Sequence, residues 1–162
     1  TGLDEPSIVE LSNSSIYALM RTFSAASTDS YHVYSVSNNY GLSWSSPEPA
    51  KPFYSRGTTP CVYKLNASLI ISVWVNRSSG LETMERRPVL CAFSQDDCLS
   101  WYGFQVVDSA INRNCNEFWV TLSCDWVLIG YRKYRTIEPL NDDAILRRFR
   151  IGETEHEIPK GT

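Results

Sequence analysis

Ser37-Asn-Asn39-Tyr-Gly41-Leu-Ser43-Trp44 returns 57 positions later as Ser94-Gln-Asp96-Asp-Cys98-Leu-Ser100-Trp101. Each copy follows a strand-like run, Tyr31 to Val36 in the first case and Val89 to Phe93 in the second. The third residue, Asn39 or Asp96, has a side-chain oxygen that can accept bonds from nearby backbone N–H groups, which favours a tight turn. Glycine at the fifth position tolerates a positive φ. Cys98 stands there in the second copy, so that turn is expected to be strained or differently shaped. Trp44 and Trp101 close the pattern as large apolar anchors. A pinned hairpin repeated at a fixed interval is the mark of a repeat architecture.

The same interval organises the rest of the chain. Ser7 to Leu11, Cys61 to Leu65 and Phe118 to Leu122 each lead through a short polar turn into a second run, Ile16 to Met20, Leu69 to Trp74 and Trp126 to Gly130. These runs are rich in β-branched and aromatic residues, as strands are. Leu11, Leu65 and Leu122 mark equivalent places in three successive units, each long enough for one four-stranded sheet. The continuous apolar run Leu69 to Val75 predicts a strand buried on both faces. Turn formers and charges separate the strands at 24–30, 47–52, 76–87, 108–116 and 135–143. The last strand runs from Ala144 to Ile151, and 152–162 is a polar tail.

Composition narrows the function classes. A chain of 162 residues with 43% hydrophobic and 12% aromatic residues can bury a core. Its net charge of −3 argues against a nucleic-acid partner. No apolar run approaches the length of a membrane span. The five cysteines lack metal-ligand spacing, and Cys61 and Cys91 fall within strand patterns, where buried free thiols are expected. His32 alternates with apolar neighbours and reads as a strand surface residue. With His156 the only other histidine, neither a metal site nor a cofactor is expected. Asn13, Asn66 and Asn76 open glycosylation sequons, a feature of secreted chains. Such matches also arise by chance in a chain rich in Asn and Ser, and the compartment is left open.

The paired octapeptides resemble the Asp-box of the sialidase (neuraminidase) superfamily, S-x-D-x-G-x-[ST]-W. The resemblance implies an all-β chain forming part of a six-bladed β-propeller, about three four-stranded antiparallel blades at 1–55, 56–110 and 111–151. The three units would form the C-terminal half of such a ring. The exposed blade faces would then be covered either by an N-terminal half or by self-association. Asp4-Glu5-Pro-Ser-Ile-Val-Glu-Leu11 with Arg21-Thr22 resembles the family segment E-[SP]-x-x-V-E-L…R, and Arg87-Pro-Val-Leu90…Ser94-Gln-Asp96 resembles R-x-x-L…S-x-D. By that resemblance Glu5 is a catalytic carboxylate, and Arg21 and Arg87 clamp the carboxylate of an anionic, sialic acid-like glycan. Arginine suits that task because its planar guanidinium donates two parallel bonds and stays charged. The plainer reading of the same residues is an ion pair, Arg21 with Glu5 or Glu10 and Arg87 with Glu85.

The chain also departs from the family pattern. Phe118 aligns with the family's tyrosine nucleophile and has no oxygen to offer. The family's acid/base Asp and first clamp arginine belong to a segment that precedes the one matched here. The resemblance therefore implies a glycan-recognising protein, an exo-glycosidase once completed, and an inactive chain in isolation. The rival reading is a non-catalytic Asp-box propeller, either a protein-interaction scaffold or a degenerate pseudo-sialidase.

Overall fold

The computed structural model describes residues 2–23, 31–55, 57–76, 88–110, 113–134 and 142–151. All the regular structure in these segments is β-strand, and each sheet is a chain of antiparallel neighbours. The first sheet holds β1 (Gly2–Glu10), β2 (Ile16–Phe23), β3 (Tyr31–Ser37) and β4 (Glu48–Tyr54) in sequential order. The second holds β5 (Cys61–Asn66), β6 (Leu69–Val75), β7 (Val89–Ser94) and β8 (Tyr102–Asp108), again in order. The third holds β9 (Asn114–Ser123), β10 (Trp126–Tyr134) and β11 (Asp142–Arg150), three strands among the described residues.

Two apolar seams join the sheets. Val9, Leu11, Tyr17, Leu19 and Phe53 of the first pack against Val62, Ile70, Trp74 and Ala92 of the second. The other face of the second sheet, with Ile71, Val73, Val75 and Phe93, packs against Phe118, Val120, Val127, Ile129 and Tyr131 of the third. All seven residues of β6 are buried because its alternate side chains serve both seams. β1 neighbours β5, and β5 neighbours β9, so the first strand of every sheet lines the same inner edge.

The repeated octapeptides form the same hairpin. Leu42 N donates to Asn39 O at 3.2 Å and Leu99 N to Asp96 O at 3.3 Å. The two central residues have positive φ in both, Tyr40 and Gly41 at 59° and 85°, Asp97 and Cys98 at 57° and 69°. Ser43 N donates to Asn39 Oδ1 at 2.8 Å, and Ser100 N to Asp96 Oδ1 at 2.9 Å. Gly41 N and Cys98 N each donate to the motif's first serine at 2.9 Å. Cys98 thus adopts the glycine conformation without changing the shape of the turn. Hydrogen bonds from Ser100 hold the Asp96 carboxyl below its ordinary pKa. Asp96→Ala should lower Tm by about 2–4 °C, whereas Asp96→Asn should lie within a degree of wild type, since Asn39 in the first copy accepts the same backbone bond from Ser43 N and donates to the Ser43 hydroxyl. A thermal melt by circular dichroism separates the two outcomes.

Three further expectations need correction. The Pro-rich stretch at 47–52 contributes to β4, and it does so at the outer edge of its sheet, where a missing N–H costs no ladder bond. Leu122 is not the counterpart of Leu11. The turn from β9 to β10 is shorter, and by register Leu122, opposite Val127, matches Glu10, opposite Ile16. His32 is fully buried, because it shares a face with Tyr34, which packs into the seam between the first two sheets.

Candidate functional site

The antiparallel order divides the molecule into two ends. The hairpins within β1–β2, β3–β4, β5–β6, β7–β8 and β9–β10 lie at one end, so the starts of β1, β5 and β9 and the ends of β2 and β10 lie at the other. Glu5 and Arg21 both fall at this second end. Their neighbourhood is set by an irregularity in the β1–β2 ladder. Asp4 pairs with Arg21 and Ser7 with Leu19, leaving Glu5 and Pro6 together opposite Met20. Such a bulge bends a strand and re-aims a side chain. Glu5 takes up the bend at φ 50°, a left-handed conformation that costs a non-glycine residue roughly 1–2 kcal/mol.

The bulge places two carboxylates on one guanidinium. Asp4 accepts from Arg21 Nε and, at 3.0 Å, from Arg21 Nη2, while Arg21 Nη1 lies 3.0 Å from Glu5 Oε1. Thr59, on the segment leading into β5, donates its hydroxyl to Glu5 Oε2. Arg21 is largely buried, whereas Asp4 and Glu5 are open to solvent. The hydrogen bond and charge of Arg21 lower the Asp4 pKa, and Asp4 and then Glu5 keep the guanidinium firmly protonated. The ion pair expected as the plainer reading of Glu5 and Arg21 is therefore present, with Asp4 as an additional partner. Arg87 lies outside the described residues.

A second charged cluster sits between the second and third sheets at the same end. Asp108, at the end of β8, accepts from Tyr131 Oη at 2.5 Å, from Lys133 Nζ at 2.8 and 3.1 Å and from Ala110 N at 2.7 Å. Arg147 Nη2 lies 3.5 Å away. Burial alone would raise the Asp108 pKa, but the bonds from Lys133 and Tyr131 prevail and hold it at about 2. With its oxygens committed in this way, the carboxylate serves to lock two sheets together.

Phe118 faces the seam and packs 6.1 Å from the Tyr131 ring, so it is a core residue. Its neighbour Glu117 is exposed, has a φ of 55° and lies 3.5 Å from Arg132. Nothing in the octapeptide pattern marked Glu117. The available signal was Asp4-Glu5-Pro6 reappearing as Asn116-Glu117-Phe118, with Arg21 and Arg132 following at nearly the same distance.

A cleft of about 630 Å³ opens at the opposite end, between the first two sheets, lined by Tyr17, Tyr34, Asn38, Asp97 and Trp101 among others. Two of its polar groups are engaged in holding turns: Asp97 accepts from Ser12 N at 3.0 Å, and Asn38 accepts from Ser15 Oγ at 2.7 Å. We therefore place the candidate site at the Glu5 end, where carboxylates stand exposed, and not in this cleft. No helix among the described residues is long and apolar enough to cross a membrane.

No family model matches the chain, and no curated protein matches it in sequence. Among solved structures, it is similar to an α-L-arabinanase of Penicillium chrysogenum complexed with arabinobiose, at 15% identity and a TM-score of 0.69 over 91% of this chain and 46% of that one. It is also similar to the GH93 α-L-arabinofuranosidase of Fusarium graminearum with arabinobiose, at 13% identity and a TM-score of 0.68 over 91% of this chain and 45% of that one. The chain spans less than half the length of these structures. The likeness establishes the fold: the stacked antiparallel sheets are part of a β-propeller.

Proposed function

We propose that the chain is part of a glycan-acting β-propeller of the exo-glycosidase kind and that Glu5 is its substrate-facing carboxylate. The observation that carries this reading is the Glu5 bulge. A strained, solvent-open acid is held by Arg21 and Thr59 at the inner edge shared by successive sheets, where a propeller mouth lies. Glycosidases mostly act through two carboxylates flanking one bond, and Glu5 would supply one of them. The structural neighbours supply a sugar class, since they were solved with arabinobiose.

The charge at the site favours a neutral sugar. Arg21 already serves Asp4 and Glu5, so two carboxylates outweigh one guanidinium there. A sialic acid-like ligand would have to displace Asp4 before Arg21 could clamp it. The anionic reading, with Arg21 and Arg87 as the clamp, is therefore the second choice.

Calorimetric titration of the chain with arabinobiose and with 3′-sialyllactose distinguishes the readings. Arabinobiose should bind, and Glu5→Gln should weaken that binding about tenfold or more, because a hydrogen bond to a charged group contributes about 1.5–3 kcal/mol. Binding of sialyllactose alone, abolished by Arg21→Ala, would restore the anionic clamp. If neither sugar binds, the chain is better read as a non-catalytic scaffold.

A further inference from the structure

The Glu5 bulge occurs twice. In the third sheet Asn116 pairs with Arg132 and Trp119 with Gly130, leaving Glu117 and Phe118 together opposite Tyr131. This repeats the first sheet position for position: Asp4 with Arg21, Ser7 with Leu19, and Glu5 and Pro6 opposite Met20. The residue at the left-handed position is glutamate both times, at φ 50° and 55°. An arginine of the neighbouring strand reaches it both times, at 3.0 and 3.5 Å.

The side chains also point the same way around the ring. Arg21 shares a face with Leu19, which packs toward the second sheet. Arg132 lies on the face opposite Tyr131, which packs back onto the second sheet. Each arginine thus projects toward the following position of the ring. The middle sheet has no such bulge, because the β5–β6 pairing begins at Cys61 and Val73. The two units differ in one respect. Asp4 holds Arg21 in the first, whereas Asn116 Oδ1 is buried without a partner in the second.

Resting on the glycan reading above, we infer that Glu117, steered by Arg132, is a second substrate-binding carboxylate, contacting hydroxyls of a sugar unit beyond the one held at Glu5. The two glutamates stand on inner-edge strands two sheets apart, with β5 between them. The twin bulges thus offer one carboxylate from each side of β5, which suits contact with neighbouring units of one oligosaccharide. Both glutamates occupy a left-handed position that glycine would fit at lower cost.

Two measurements test this. Titration of wild type and Glu117→Gln with methyl α-L-arabinofuranoside and with arabinopentaose reads the subsite. The substitution should weaken the pentasaccharide about tenfold and change the methyl glycoside less than about twofold. Equal affinities of Glu117→Gln and wild type for both sugars would remove the subsite and leave the Glu5 reading standing. Failure of wild type to bind either sugar would remove both together. The melting temperature of Glu117→Gly supplies a readout that needs no ligand. It should rise by about 2–4 °C as the strained position relaxes, whereas a fall would make Glu117 a structural partner of Arg132 and overturn the inference.

Discussion

Asp108→Ala should cost about 3–5 kcal/mol of stability, the loss that follows when one partner of a buried charge pair is removed. Asp108 is 8% exposed and accepts from Tyr131, Lys133 and the Ala110 backbone, so its deletion strands a buried phenol and a largely buried ammonium. Only the seam between the second and third sheets is expected to loosen at first, since Tyr131 belongs to its core. Urea unfolding followed by tryptophan fluorescence would read the change as a lower midpoint. Asp108→Asn should lose less, because the amide oxygen can still accept from Tyr131. A cost below about 1 kcal/mol for the alanine variant would mean that water already satisfies these groups.

Acid should destabilise the fold well above the range in which carboxylates titrate. His32 is fully buried, and burial drives its pKa down to about 3, with the Met20 carbonyl opposing this only in part. The β2–β3 register, continued by one residue, sets Arg21 opposite it, a cation that gives a second positive charge no welcome. In the unfolded chain histidine titrates near 6.5. Between that value and about 3 the unfolded state binds the extra proton, so the stability due to a neutral His32 is complete above pH 6.5 and drains away as pH falls. The slope should approach roughly 1.4 kcal/mol per pH unit. Asp108 adds a loss of its own only below about 3.8, as pH falls toward its folded value of about 2. His32→Leu should flatten the upper window and leave the lower one in place. Unfolding midpoints that stay constant for wild type from pH 6.5 to 4 would show that the buried ring is not paying this cost.

The fold was legible because two signals agreed. The octapeptides fixed where hairpins turn, and the β-branched and aromatic runs on either side fixed what pairs with what. Even the substitution of Cys98 for glycine left the turn intact. Its ladder bonds and the Asp96 side chain define the geometry, and the residue at the fifth position only has to tolerate it. Burial was harder to read. His32 looked like a surface residue because alternation assigns a residue to a face without saying whether a second sheet covers that face. Trp119 shows the converse, a large aromatic in a strand pattern that stands 61% exposed.

The candidate site was only half legible. Glu5 and Arg21 were found by motif, and their contact follows from a hairpin that returns the chain to its starting end. Asp4 was not recognised as a partner of Arg21, because a bulge changes which residues oppose each other and leaves no simple mark in sequence. Glu117 was hidden for the same reason. Phe118, one residue along, carries the family alignment, and it packs in the core.

The bond from Thr59 to Glu5 crosses from one sheet to the next, and at the far end Ser12 reaches Asp97 across the same gap. Two neighbouring wedges are thereby pinned at top and bottom, so they cannot tilt against each other without first releasing an acid from its hydroxyl. Any tilt of one wedge is thus transmitted directly to the Glu5 carboxylate.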